Sequence, residues 1–233
     1  PLSKREWYLE NTQLAESEEV KHLGVILCNN NRSHTEARIR SARRAFYSLQ
    51  GAGICVGGCS PSTISHIMSV AVRPVLLYGM ECIYQDKTAF KTIESAQAKF
   101  LKSALGLKRS CKNSPLLQAL GIDRISVSVE IKKLSLLRSM LLSTSRCSLF
   151  YQHLLSCALS GNLSSHRNLV SDVLKTCKKY QISLAQYLCD DNYQQKCKNV
   201  MKSRPPCGIA DSIKYLLQTS FNVTNVNNLL SSF

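Results

Sequence analysis

Along this chain the apolar spacing changes once, from a short strand-like opening to a long helical remainder. Residues 20–27, VKHLGVIL, mix β-branched residues with leucine over a strand's length, and NNNRS then closes the run as a turn. WYLEN, at 7–11, is positioned to supply a partner strand. Residues 6 to 28 are therefore expected to form a small hairpin or a sheet edge.

After Ser33 the apolar positions recur at helical spacing. In SHTEARIRSARRAFYSLQG, Ser33 and Glu36 read as a capping box and Gly51 stands just past the end. Ile39, Ala42, Phe46 and Leu49 share one face, while Arg40, Arg43, Arg44 and Tyr47 share the other. Ser60 and Pro61 are an N-cap and first helical residue for STISHIMSVAV, a helix expected to end or kink before Pro74. His66 on that helix reads as a satisfied, partly buried histidine. PVLLYGMECI follows, either as a helix with Gly79 tightly packed or as a partly extended segment.

Residues 88–105 predict a helix with Phe90, Ile93, Phe100, Leu101 and Ala104 inward, Lys91, Lys99 and Lys102 on its flanks, and Gly106 as the stop. A basic loop, GLKRSCKNSP, leads to a short helix in SPLLQALG whose N-terminus is expected at Ser114. Residues 126–143 predict another long helix. Less regular helices follow from about 148, broken at SGNLSSHRN and KSRPPCG. The expected fold is thus mostly α, with a short N-terminal β-hairpin, a helical bundle and a helical C-terminal extension. The boundaries drawn are 1–32, 33–145 and 146–233.

Charge changes this picture more than composition does. The net charge is +15, with pI near 9.5. The first 20 residues hold five glutamates against Lys4 and Arg5, and the basic excess begins at Arg32 and recurs around 38–44, 87–112 and 175–204. Such a distribution points to a polyanionic partner, most often nucleic acid, against the alternative of a solvated basic surface. No apolar run reaches the ~18 residues a membrane span needs, and PLSKREWYLENTQ is polar throughout, unlike a secretory signal.

The eleven cysteines then read as reduced thiols of an intracellular protein. Cys55, Cys59, His66 and Cys82 come nearest to a metal-ligand spacing, and Cys189, Cys197 and Cys207 are too irregular for a knuckle. Ordinary thiols are the expectation at both places. No nucleophile–base arrangement, phosphate loop or nucleotide fingerprint occurs. Trp7 and Tyr47 are lone aromatics of the kind that more often pack at a core or rim than stack on bases.

Taken in order, KHLGVIL, RIRSARRAFYSLQG, CSPSTISHIMSVAVRPVLLYGMECI and IESAQAKFLKSALGLKRSCKNSPLLQALGI resemble the region just after the catalytic palm in reverse transcriptases of non-LTR (LINE-type) retrotransposons. That family shows a K-Y-L-G-V strand, an arginine- and alanine-rich helix, a V-R-P-x-L-x-Y-G-x-E segment, a helix ending in L-G-L, and an S-P…L-G element. The resemblance covers roughly residues 18–125, and only a looser helical likeness extends beyond.

The resemblance implies that Lys21, Leu23 and Gly24 belong to a primer-grip hairpin, where a tight glycine lets backbone approach the primer terminus. His22 stands where the family usually has an aromatic residue, and Cys28 where it often has aspartate. The helices beyond correspond to the thumb, which closes over a template–primer duplex. Arg40, Arg43 and Arg44, then Lys108, Arg109 and Lys112, are the candidate contacts to nucleic-acid backbone, with a solvated or acid-paired face as the alternative.

The family's catalytic carboxylates lie upstream of the L-G-V strand. Residues 1–17 contain no aspartate, and Asp190–Asp191 lies downstream in the wrong order. No catalytic residue and no metal ligand is therefore assigned, and Mg²⁺ is expected only with an upstream palm. The partners implied are an RNA–DNA or RNA template–primer and the palm and fingers of the same polyprotein, with no membrane and a nuclear or cytoplasmic location. The competing expectation is a relic or host-adopted basic helical protein that binds nucleic acid or an acidic partner.

Overall fold

The computed structural model describes residues 7–10, 12–14, 17–28, 32–55, 58–84, 87–143 and 169–203, with Leu149, Gln152 and Ser156 between the last two segments. Among these residues the chain is mostly helical behind a short antiparallel β opening. Strands β1 (Trp7–Leu9) and β2 (Thr12–Leu14) pair with each other, and β3 (Glu19–His22) pairs with β4 (Val25–Cys28), His22 facing Val25.

WYLEN therefore does not partner VKHLGVIL, which is itself a hairpin folded at Leu23–Gly24. Both turn residues have positive φ, 47° and 79°. Two such residues form the two-residue turn whose twist matches that of the flanking strands. A leucine in this region is disfavoured by about 1–2 kcal/mol, so contacts elsewhere must hold it there.

Helix α1 (Arg32–Gly51) starts one residue before its expected cap. Ser33 is inside the helix and gives its hydroxyl to the Glu19 carboxylate of β3 instead of closing a capping box. The stop is Gly53, not Gly51. Gly53 takes φ +92°, and Ile54 N–H reaches the Leu49 carbonyl at 3.2 Å. Helix α2 (Pro61–Ile67) is capped by Ser60, whose hydroxyl accepts from Thr63 N–H.

A π-helical turn, Met68–Val72, joins α2 to α3 (Arg73–Leu77). The wider turn relieves the Pro74 ring where it would meet the carbonyl of Val70. His66 is exposed rather than partly buried, because the buried stripe runs through Pro61, Ile64, Ser65 and Met68 and passes beside it. Leu77–Met80 is a tight turn, with Tyr78 extended, Gly79 at φ +71° and Met80 N–H on the Leu77 carbonyl.

Helix α4 (Lys87–Ala104) buries Ile93, Phe100, Leu101 and Ala104 and stops at Gly106, φ +64°. Helix α5 (Asn113–Ala119) has Lys112 at its N-cap with no side-chain cap, and Ser114 instead accepts from the Arg124 guanidinium. Then come α6 (Ile125–Leu142), α7 (Leu169–Tyr180), α8 (Leu184–Cys189) and α9 (Asp191–Lys202). The boundary drawn near 145, the SGNLSSHRN break and most of KSRPPCG fall outside the described residues.

Two hydrophobic clusters meet on α6. Ile125 and Val129 pack with α1 through α5, while Val127, Leu134 and Leu137 pack with α7, α8 and α9. This explains why α6 shows no single apolar stripe: a helix with neighbours on two sides is apolar around most of its girth. No described helix is long and apolar enough to cross a membrane.

Candidate nucleic-acid interface

Helix α1 separates its two faces cleanly. His34, Thr35, Ala42 and Phe46 are buried, and Arg40, Arg43 and Arg44 are exposed, with Tyr47 beside them at 59% exposure. Arg44 makes one long contact to the Ser41 hydroxyl, 3.4 Å. None of the three guanidiniums has a carboxylate partner among the described residues. The Trp7 side chain lies outside the described set.

The β3–β4 hairpin docks against the start of this helix and the turn after α3. Lys21 is exposed on β3, and Leu23 is 79% exposed at the tip. Tyr78 donates its hydroxyl to the Leu23 carbonyl at 2.7 Å. Its ring lies so close to Gly24 that a Cβ there would stand 3.3 Å away. The Arg38 guanidinium sits over the same ring at 5.4 Å from its centroid.

His34 is the second anchor, and it is fully buried. Its Nδ1 accepts from Ile26 N–H at 3.1 Å and its Nε2 meets the Tyr78 carbonyl at 3.0 Å. An amide can only donate and a carbonyl only accept, so the ring is the neutral tautomer protonated at Nε2. Burial lowers the His34 pKa below its usual 6.5. The Tyr78 carbonyl pulls it back up, Arg38 pushes it further down and Glu81 raises it.

A depressed folded-state pKa means that the unfolded chain takes up the proton first as pH falls. The His34 contribution is therefore complete above pH 6.5 and is lost as pH drops through the lowered folded value. Urea midpoints measured from pH 7.5 to 5 should fall for the wild type and fall less steeply for His34→Gln. Equal slopes would remove His34 from the account.

The second basic group lies in the turn between α4 and α5. Lys108, Arg109 and Lys112 are all exposed. Lys102, expected on a flank of α4, is buried, and its ammonium donates to the Arg109 carbonyl at 3.0 Å. Phe46 of α1 stacks on Phe100 of α4, centroids 5.1 Å apart and planes at 22°. Arg43 and Arg44 are within one helical turn of Phe46, and the loop begins five residues after Phe100, about 7.5 Å along the helix. The Phe46–Phe100 contact thus lies in the C-terminal part of both helices. The hairpin docks at the other end of α1.

Asp190 and Asp191 have local structural roles. Asp190 caps α9 by accepting from Asn192 and Tyr193 N–H, and Asp191 pairs with Arg138 at 2.8 Å. Among the described residues no three His, Cys, Asp or Glu side chains gather as metal ligands. The described cysteines are free thiols, and burial first, with Cys197 nearby, pushes the Cys177 thiol up to about 11, leaving it little nucleophilic thiolate.

His34, Arg38, Tyr78 and Lys102 join the region without having been singled out as binding residues from sequence. Stepping back by fours from Phe46 and Ala42 leads to Arg38 and His34, so the helical spacing contained that signal. Comparison with family models, curated proteins and solved structures returned no match for the chain.

Proposed function

We propose that this chain is the primer-grip hairpin, thumb and helical extension of a LINE-type reverse transcriptase, and that by itself it binds template–primer backbone without catalysing polymerisation. The sequence order from KHLGVIL to LLQALGI suggests the family. The observation that carries the binding role is the exposed face of α1, where Arg40, Arg43 and Arg44 stand without carboxylate partners among the described residues. Guanidiniums free of intramolecular acids are available to phosphates, and phosphate contacts give affinity without sequence choice.

In this reading the hairpin meets the primer end through Lys21, Leu23 and Gly24, and α1 with the α4–α5 turn follows the backbone. An RNA–DNA hybrid is recognised largely by its shape and by its phosphates and 2′-hydroxyls. The palm that would hold Mg²⁺ and the primer hydroxyl lies outside this sequence.

The test is equilibrium binding of the full chain to an RNA–DNA hybrid with a primer end, to single strands of the same sequences, and to a closed duplex. The expected result is tightest binding to the primed hybrid, with the triple variant Arg40→Gln, Arg43→Gln, Arg44→Gln weaker by tenfold or more, about 1.4 kcal/mol. Equal affinity for every form would leave only general nucleic-acid binding by a basic helical protein. An unaffected triple variant would remove the α1 face from the account.

A further inference from the structure

We propose that the α4–α5 turn is a phosphate-binding site whose floor is Lys102, a buried residue whose ammonium reaches the turn. The described buried lysines are Lys102, 7% exposed, and Lys133, 6% exposed. Lys133 follows the ordinary rule for a buried charge and pairs with Asp172 at 2.6 Å. Lys102 does not. Its hydrogen-bond partner is the neutral carbonyl of Arg109, and no carboxylate among the described residues is within ion-pairing distance.

An ammonium has three donors, and this contact uses one. The turn around it adds cations only, Lys108, Arg109 and Lys112, none of them ion-paired among the described residues. A positive charge with no acid partner, set among further positive charges, favours the approach of an anion. A phosphate supplies that charge, together with oxygens for the unused donors.

The turn is also fixed in shape. The Lys102 carbonyl accepts from Leu107 N–H at 2.8 Å while its ammonium holds Arg109, and Cys111 N–H closes on the Lys108 carbonyl at 3.1 Å. One residue therefore ties both limbs of the turn, so binding there orders little further chain. The ligand class is a phosphate oxyanion. On the nucleic-acid reading above, from which the identity of the partner is taken, it is a backbone phosphate of the bound strand.

The test is an NMR titration of the isotope-labelled full chain with inorganic phosphate at constant ionic strength, following backbone amides and lysine ammonium groups. The expected result is saturable movement of the Lys102 ammonium and of amides 107–112, with the Lys133 ammonium unmoved as an internal control. Lys102→Gln should weaken the site by about tenfold, as for loss of one charge-assisted hydrogen bond, and Lys102→Arg should restore most of it. If the Lys102 ammonium stays still, the residue is only a clamp on the end of α4 and the site is overturned, even if Lys102→Gln fails to fold.

A second titration with the primed RNA–DNA hybrid separates the two proposals. Loop signals that move with both ligands support both. Phosphate binding with no response to hybrid keeps the oxyanion site and overturns the nucleic-acid reading. Hybrid binding that moves only α1 overturns the loop as a site for the strand's backbone phosphate and leaves that reading standing.

Discussion

Asp172→Ala is expected to destabilise the protein by about 3–5 kcal/mol, the usual penalty for removing one partner of a buried ion pair. Asp172 lies in the first turn of α7, where the helix dipole also favours a negative charge. Its carboxylate is the 2.6 Å partner of Lys133 on α6, and both side chains are largely withdrawn from solvent. Removing it leaves an ammonium in the cluster that joins α6 to α7, α8 and α9. Asp172→Asn should be milder, because the amide oxygen still accepts. The double variant Lys133→Met, Asp172→Leu should return to within about 1 kcal/mol of wild type, since well-packed apolar groups commonly replace such pairs at no net loss. Denaturant melts of the three variants decide it. A double variant as unstable as Asp172→Ala would mean that packing, not the orphaned charge, sets the effect.

Gly79→Val is the second large effect, about 2–5 kcal/mol, and it should act on one joint. Gly79 holds φ +71°, where an L side chain is disfavoured by about 1–2 kcal/mol. A Cβ there would stand 2.7 Å from Val25 Cγ2 and 3.3 Å from His34 Nε2. Forcing extra carbon into such a contact typically adds about 1–3 kcal/mol. Because Val25 packs the hairpin against the core and His34 holds Ile26, the β3–β4 hairpin should come away while the helices remain. Hydrogen exchange at Ile26 N–H should then accelerate with little change in α4 and α6. Gly51→Ala is the control: its added methyl meets nothing within 4 Å inside a helix, so it should be neutral or stabilising by about 0.5–1 kcal/mol. Uniform acceleration across all helices in Gly79→Val would contradict a local role.

What sequence reading captured and what it missed follow one physical line. The helices around Phe46 and Phe100 were legible because their apolar positions repeat every three to four residues over long stretches. The hairpin at Leu23–Gly24 was not, since Leu-Gly is not one of the favoured turn pairs. It is held from a distance, by the Tyr78 hydroxyl on Leu23 and by His34 on Ile26. The end of α1 went to Gly53 and not Gly51 because Ile54, the residue after Gly53, packs against the core.

The same holds for the candidate site. The arginine face of α1 was visible from periodicity alone. Lys102 looked like one more flank lysine of α4, and only the chain's return through Leu107 and Arg109 buries it.

The most direct measurement is the salt dependence of binding to the primed RNA–DNA hybrid, for the wild type and the Arg40, Arg43, Arg44 to Gln triple variant. Each neutralised phosphate contributes about 0.9 to the slope of log affinity against log salt on a duplex. The account predicts a linear wild-type plot with a slope of about −3 or steeper, flattened by about 3 in the variant. No binding of the wild type at ~50 mM salt, or identical slopes for the two proteins, would contradict it.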